Sequence, residues 1–190
     1  MEPKAYQLKV TLRGARPPIW RRVEVKGETT LFMLHEILQL AMGWTDSHLH
    51  QFIAKGKCYG TPDPDSFVDR ENERKVRIDQ VLKKPKDRIV YEYDFGDSWE
   101  HEVVVEKVIP AEGGRGRYPL VTAGERACPP EDCGGIPGYY HLLEVLRSPR
   151  HPEHQEMLEW CGGTYDPEGL DLQEVNRRFH GGWGPAKRHP

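Results

Sequence analysis

The chain has no apolar run approaching the ~20 residues needed to cross a bilayer. Its first residues, Met1-Glu2-Pro3-Lys4-Ala5-Tyr6, carry no apolar signal core. The expectation is a cytoplasmic protein with no membrane association. An excess of positive charge is also missing: Lys and Arg number 27 against 30 Asp and Glu, for a net charge of −3. Binders of phosphate backbones normally show a marked basic surplus, so direct nucleic-acid binding is not expected. Cysteine is sparse, at Cys58, Cys128, Cys133 and Cys161. In a reducing compartment these read as free thiols or metal ligands rather than disulfides. Nor does the chain contain GxxxxGKS/T, GxGxxG, GxSxG or HExxH. An ATPase, a dinucleotide oxidoreductase and the common serine hydrolases lose support accordingly.

What is present suits one folded domain over residues 1–190. Five Trp, eight Tyr and five Phe supply bulky core anchors that disordered chains usually lack. Tyr6, Leu8, Val10 and Leu12 alternate with polar residues, the period of a half-buried strand. After the turn at Gly14 and Pro17-Pro18, Ile19 to Val25 reads as its hairpin partner, with Arg21 and Arg22 snorkelling from it. Leu31, Leu34, Leu38 and Ala41 follow at helical spacing. Thr29 or Thr30 can cap that helix, and Gly43 can close it.

Leu49 to Ala54 reads as a third strand, residues 61–75 as a Pro-rich charged loop, and Val76 to Leu82 as a short helix. Ile89 to Phe95 and Trp99 to Ile109 read as two strands around the turn Gly96-Asp97-Ser98. The expected fold is α+β. A mixed sheet of about five strands in β-grasp-like order occupies 1–110, and a connector follows at 111–127. A helical part at 128–180 packs on the sheet, and 181–190 forms a flexible tail. Within the helical part, Leu142, Leu143 and Leu146 mark one helix and Pro152 opens another. Asp171 with Glu174 caps a third.

Four polar clusters stand out. In Gly43-Trp44-Thr45-Asp46-Ser47-His48-Leu49-His50, two His two apart on a strand can bind one metal ion through neutral imidazoles. The alternative is a hydrogen-bonded pair at a strand start. In Tyr93-Asp94-Phe95-Gly96-Asp97-Ser98-Trp99-Glu100-His101, the candidates for metal or acid–base work are Asp94, Asp97 and His101. For Asp97 taken alone, turn chemistry is the plainer reading, and Trp99 would then be a core anchor. In Cys128-Pro129-Pro130-Glu131-Asp132-Cys133, four residues separate the thiols, at the edge of zinc-ligand spacing. Buried, inert thiols are the plainer reading. His151 and His154 read as polar residues at a helix start.

The segments GWTDSHLHQF, YEYDFGDSWEH, CPPEDCGG with GYYHLLEVL, and WCGGTYDPEGLDLQEVN resemble the plasmid Ri open-reading-frame-three-like family. They follow in order from about Tyr6 to Phe179. The resemblance implies a stand-alone protein, in some cases a passenger of insertion elements, and it implies that the four clusters meet in space. Some members carry a resolvase-like label, which the residues oppose. The first Ser is Ser47, inside the His turn, and no His has Arg three places on.

Two functions follow as expectations. One is a binding module for a protein or small-molecule partner, with Trp44, Trp99, Glu131 and Asp132 lining its pocket. The other is a metal-dependent hydrolase or phosphoesterase. Its divalent ion, zinc for example, would be drawn from His48, His50, Asp94, His101, Cys128 and Cys133.

Overall fold

Alternation of apolar and polar residues along the strands builds a sheet with one buried face. The computed structural model describes residues 4–63, 68–110 and 117–181. Within them lie strands β1 (Lys4–Leu12), β2 (Trp20–Lys26), β3 (His50–Ala54), β4 (Lys57–Gly60), β5 (Arg70–Asn72), β6 (Arg88–Tyr93), β7 (Trp99–Pro110) and β8 (Leu120–Glu125). The helices are α1 (Leu31–Met42), α2 (Ile78–Val81), α3 (Gly135–Arg147), α4 (His154–Trp160) and α5 (Leu172–His180). All eight strands join one sheet in the order β5-β4-β3-β6-β7-β1-β2-β8. Every pairing is antiparallel except β4 with β5.

The α+β class is as expected, with a sheet of eight strands rather than five. The additional strands are β4, β5 and β8, and composition hid the last two. β5 and a 3-10 turn at Glu73–Lys75 fall inside the charged stretch read as loop 61–75. β8 falls inside the connector, where glycine and arginine diluted the apolar signal. Residues 111–116 of that connector, and 182–190 of the expected tail, lie outside the described residues.

Register explains which side chains meet. Phe52 on β3 pairs with Tyr91 on β6, Tyr91 with His101 on β7, and His101 with Leu12 on β1. The next row holds His50, Tyr93 and Trp99. Because strand side chains alternate, both rows project from one face. Their members are buried except for half-buried His50. Gln51, Glu92 and Glu100 project from the other face and remain partly exposed. A sheet with one wet face needs a cover only on the other.

Helix α1 supplies part of that cover with Leu31, Leu34, Ile37, Leu38, Ala41 and Met42. Thr30 caps it by accepting from the Met33 N–H, and Gly43 ends it at φ 98°, a left-handed conformation that favours glycine. Arg21 does not snorkel. It is buried, and its Nε donates to the Ala41 carbonyl at 2.8 Å while Nη1 donates to that of Glu125 at 3.0 Å. A cation on the orphan carbonyls of a helix C-terminus is favourable. Here it also ties α1 to β8. The same apolar cluster continues into α3 through Tyr139 and Leu143 and into α5 through Phe179.

Candidate functional site

Three loops converge where β3, β6 and β7 end. The first, residues 43–49, leaves α1. Trp44 anchors it: the indole stacks on Tyr93 with ring centroids 5.0 Å apart, and its Nε1 donates to the Pro129 carbonyl at 3.0 Å. The Asp46 N–H donates to Gln39 Oε1 at 3.0 Å, and the Ser47 N–H donates to Tyr93 Oη at 3.0 Å. The second loop follows β6. The Asp94 N–H donates to the Leu49 carbonyl, and Asp94 Oδ1 accepts from the Gly96 N–H at 2.9 Å.

The third loop, residues 128–134, is braced by Glu131, which accepts from Tyr93 Oη and from Thr45 Oγ1. Asp97 fastens it from the other side, its Oδ2 accepting from the Gly134 N–H at 3.1 Å. The contact is close enough that a Cβ on Gly135 would lie 2.5 Å from the Asp97 carbonyl oxygen. Any side chain there would push the two loops apart.

At the junction lie His48, Asp94 and Asp132. His48 Nε2 is 3.0 Å from Asp132 Oδ1 and 3.7 Å from Asp94 Oδ2. One donor atom from each of the three falls within 4.8 Å of the others. The Nε2 atom is itself buried, yet it makes no hydrogen bond with either carboxylate. A proton on Nε2 would have poorly aimed acceptors, and a lone pair there would face two negative charges. A cation bound by all three groups resolves both problems.

A second group lies alongside. His35 and His50 stack face to face, with centroids 3.4 Å apart and planes 4° from parallel. His50 Nε2 is 2.8 Å from Glu73 Oε2, and His35 Nε2 is 2.9 Å from Asp46 Oδ1. Hydrogen bonding fixes the protons around His35. The Asp46 N–H occupies Gln39 Oε1, so Gln39 Nε2 donates to Tyr91 Oη at 2.8 Å. The fully buried Tyr91 then donates its own proton to His35 Nδ1 at 2.8 Å, leaving Nε2–H for Asp46. His35 is therefore neutral, and burial, more than any other influence, draws its pKa below the ordinary value. Asp46, Asp94 and Asp132 all take left-handed backbone, at φ 59°, 57° and 59°. Aspartate tolerates that conformation better than most residues, and such outliers gather at functional sites.

The sequence-derived candidates divide among these places. Asp94 and Asp132 join His48. His50, two residues on, turns to the second group, so the two His do not share one set of donors. Asp97 braces a loop. His101 is fully buried beneath Trp44, with its Nδ1 2.9 Å from the Trp99 carbonyl. Burial lowers its pKa to about 4. Asp94, Asp97 and His101 thus form no single catalytic set. Trp44 and Trp99 are buried and make the floor, while Glu131 braces the rim. Cys128 and Cys133 are free, and no cysteine falls in either donor group among the described residues. Burial raises both thiols, that of Cys133 to about 12, which keeps them protonated.

Sequence reasoning missed His35, Glu73 and Gln39. His35 and Gln39 lie one turn apart on the apolar face of α1, which was the available signal. Beside Asp132 opens a cleft of about 260 Å3, lined by Cys133, His141, Glu156, Met157 and Trp160 among others.

Comparisons with known proteins agree with this fold. A family model described as plasmid pRiA4b ORF-3-like protein matches residues 4–174. The uncharacterized protein y4hQ of Sinorhizobium fredii is 39% identical over 179 residues, covering 93% of this chain and 91% of its own length. A crystal structure of a protein of unknown function, MM3350 from Methanosarcina mazei Go1, superposes with a TM-score of 0.82 at 37% identity. That alignment covers 92% of this chain and 98% of the other. No helix among the described residues is long and apolar enough to cross a membrane. The chain belongs to the plasmid pRiA4b ORF-3-like family.

Proposed function

We propose that this protein is a ligand-binding module whose His48, Asp94 and Asp132 hold a divalent cation at the mouth of the cleft beside α3. The supporting observation is the buried Nε2 of His48, set against two carboxylates with a hydrogen bond to neither. One imidazole and two carboxylates suit borderline to hard ions such as Zn2+ or Mn2+. Three protein ligands leave coordination positions open. A small molecule in the cleft would reach the ion there, resting on Met157 and Trp160.

Titration calorimetry of chelator-stripped protein with Zn2+ tests this reading. Binding of one ion per chain is expected, lost in H48A and strongly weakened in D94N, with C128S/C133S unaffected. Absence of stoichiometric binding, or binding that survives H48A, would overturn it. Loss of binding in C128S/C133S instead would move the ion to the thiols.

Hydrolysis is the second reading, favoured by the same open coordination positions. Held by these three residues, such an ion would lower the pKa of a bound water and so supply hydroxide as a nucleophile. Metal-dependent turnover of p-nitrophenyl phosphate, abolished by D94N, would establish it. Zn2+ binding without turnover would leave the binding module as the function.

A further inference from the structure

Helix α3 has a second cleft on its other flank, away from Asp132. Arg16, Pro17, Arg126, Tyr140, Leu143, Glu144 and Arg147 line a cavity of about 450 Å3. A neighbouring lobe of about 350 Å3 shares Pro17 and Arg126. Arg126 therefore stands between the lobes. Its side chain is only 9% exposed, and its Nε is buried with no hydrogen-bond partner. Nη1 pairs with Glu168, a carboxylate that is itself 66% exposed. A buried guanidinium with an unpaired N–H is costly unless a further acceptor arrives. The backbone at Arg126 is also held at φ 68°, uncommon for a side chain of this size.

Arg16 and Arg147 line the same space, and no carboxylate among the described residues pairs with either. The backbone that carries Arg16 is held in place. The Arg16 N–H donates to Tyr140 Oη at 2.6 Å, and that hydroxyl lies 3.1 Å from the Gly14 carbonyl oxygen. Tyr140 on α3 thus pins the turn that carries Arg16. Arg147 comes from the last turn of the same helix. Three guanidinium groups and one acid, Glu144, line the larger lobe, with Arg126 also paired to Glu168, while the ring of Tyr140 with Pro17 and Leu143 gives an apolar wall.

We infer that this cleft binds a small organic phosphate monoester. The phosphate would be shared by Arg126, Arg16 and Arg147, and the organic body would rest on Tyr140 and Leu143. Several guanidinium groups lining one cavity match the oxygens of a phosphate better than they match a single carboxylate. This cleft is separate from the cation site proposed at His48.

Calorimetry with phenyl phosphate in excess EDTA tests it, with inorganic phosphate and phenol as comparison probes. Saturable binding of phenyl phosphate, tighter than inorganic phosphate, is expected, and no binding of phenol. Loss of one charge-assisted contact should weaken phenyl phosphate about tenfold in each of R16Q and R147Q. Both residues are exposed, so both variants should keep the parent's thermal unfolding midpoint. R126K, which keeps the charge but not the planar fork, should weaken binding as well. No saturable binding at millimolar phenyl phosphate would overturn the inference. So would affinity unchanged in both R16Q and R147Q, or a preference for inorganic phosphate.

Discussion

His101 is fully buried, with burial lowering its pKa from 6.5 to about 4. The folded protein resists protonating it, whereas the unfolded chain takes up that proton near the ordinary pKa. The resulting stability is fully present above about pH 6.5 and is lost as the pH falls toward the folded value. The loss reaches up to about 3 kcal/mol. His35, also drawn down by burial, adds to the same slope. Urea unfolding at about pH 7 and about pH 4.5 checks this. H101L should lose less stability between the two pH values than the parent does, whatever its absolute stability. An equal loss in both would show that His101 is not the group responsible. At this scale the sequence was half legible. The motifs carrying His48, Asp94 and Asp132 were visible as polar residues beside turns. His35 and Glu73 were not, because one sits in an apolar stripe and the other in a charged run. Only the tertiary fold buries Glu73 against His50.

Among the elements, β8 forms one edge of the sheet, where unpaired backbone groups invite association. Asn176 on α5 satisfies those of Val121. Its Oδ1 accepts from the Val121 N–H and its Nδ2 donates to the Val121 carbonyl, both at 2.8 Å. One side-chain amide thus takes the place of a partner strand at that residue. N176A should cost about 2 kcal/mol in urea unfolding, since it strips two hydrogen bonds from partly buried backbone. N176D should cost a comparable amount, because it loses the donor and sets a carboxylate oxygen against the Val121 carbonyl oxygen. Wild-type stability in N176A would mean that water replaces the amide freely. Helix α1 was legible because its apolar spacing, threonine cap and terminal glycine agree with one another. β5 and β8 were not, because short edge strands need little apolar content and so look like loops.

For the whole molecule, the register of β3, β6 and β7 places aromatic residues under the site, and Asp97, Glu131 and Trp44 lock three loops above them. Residues far apart along the chain, His48, Asp94 and Asp132, are brought together on that frame. The order of the motifs in the sequence suggested convergence. It did not show that His48 and His50 would part, since that depends on β3 beginning only at His50. The most direct measurement is anomalous diffraction from crystals of the protein soaked in Mn2+. The account requires a peak about 2.1–2.3 Å from His48 Nε2, shared with carboxylate oxygens of Asp94 and Asp132. A soaked crystal with no peak at that position, or with its peak between His35 and His50 instead, would contradict it.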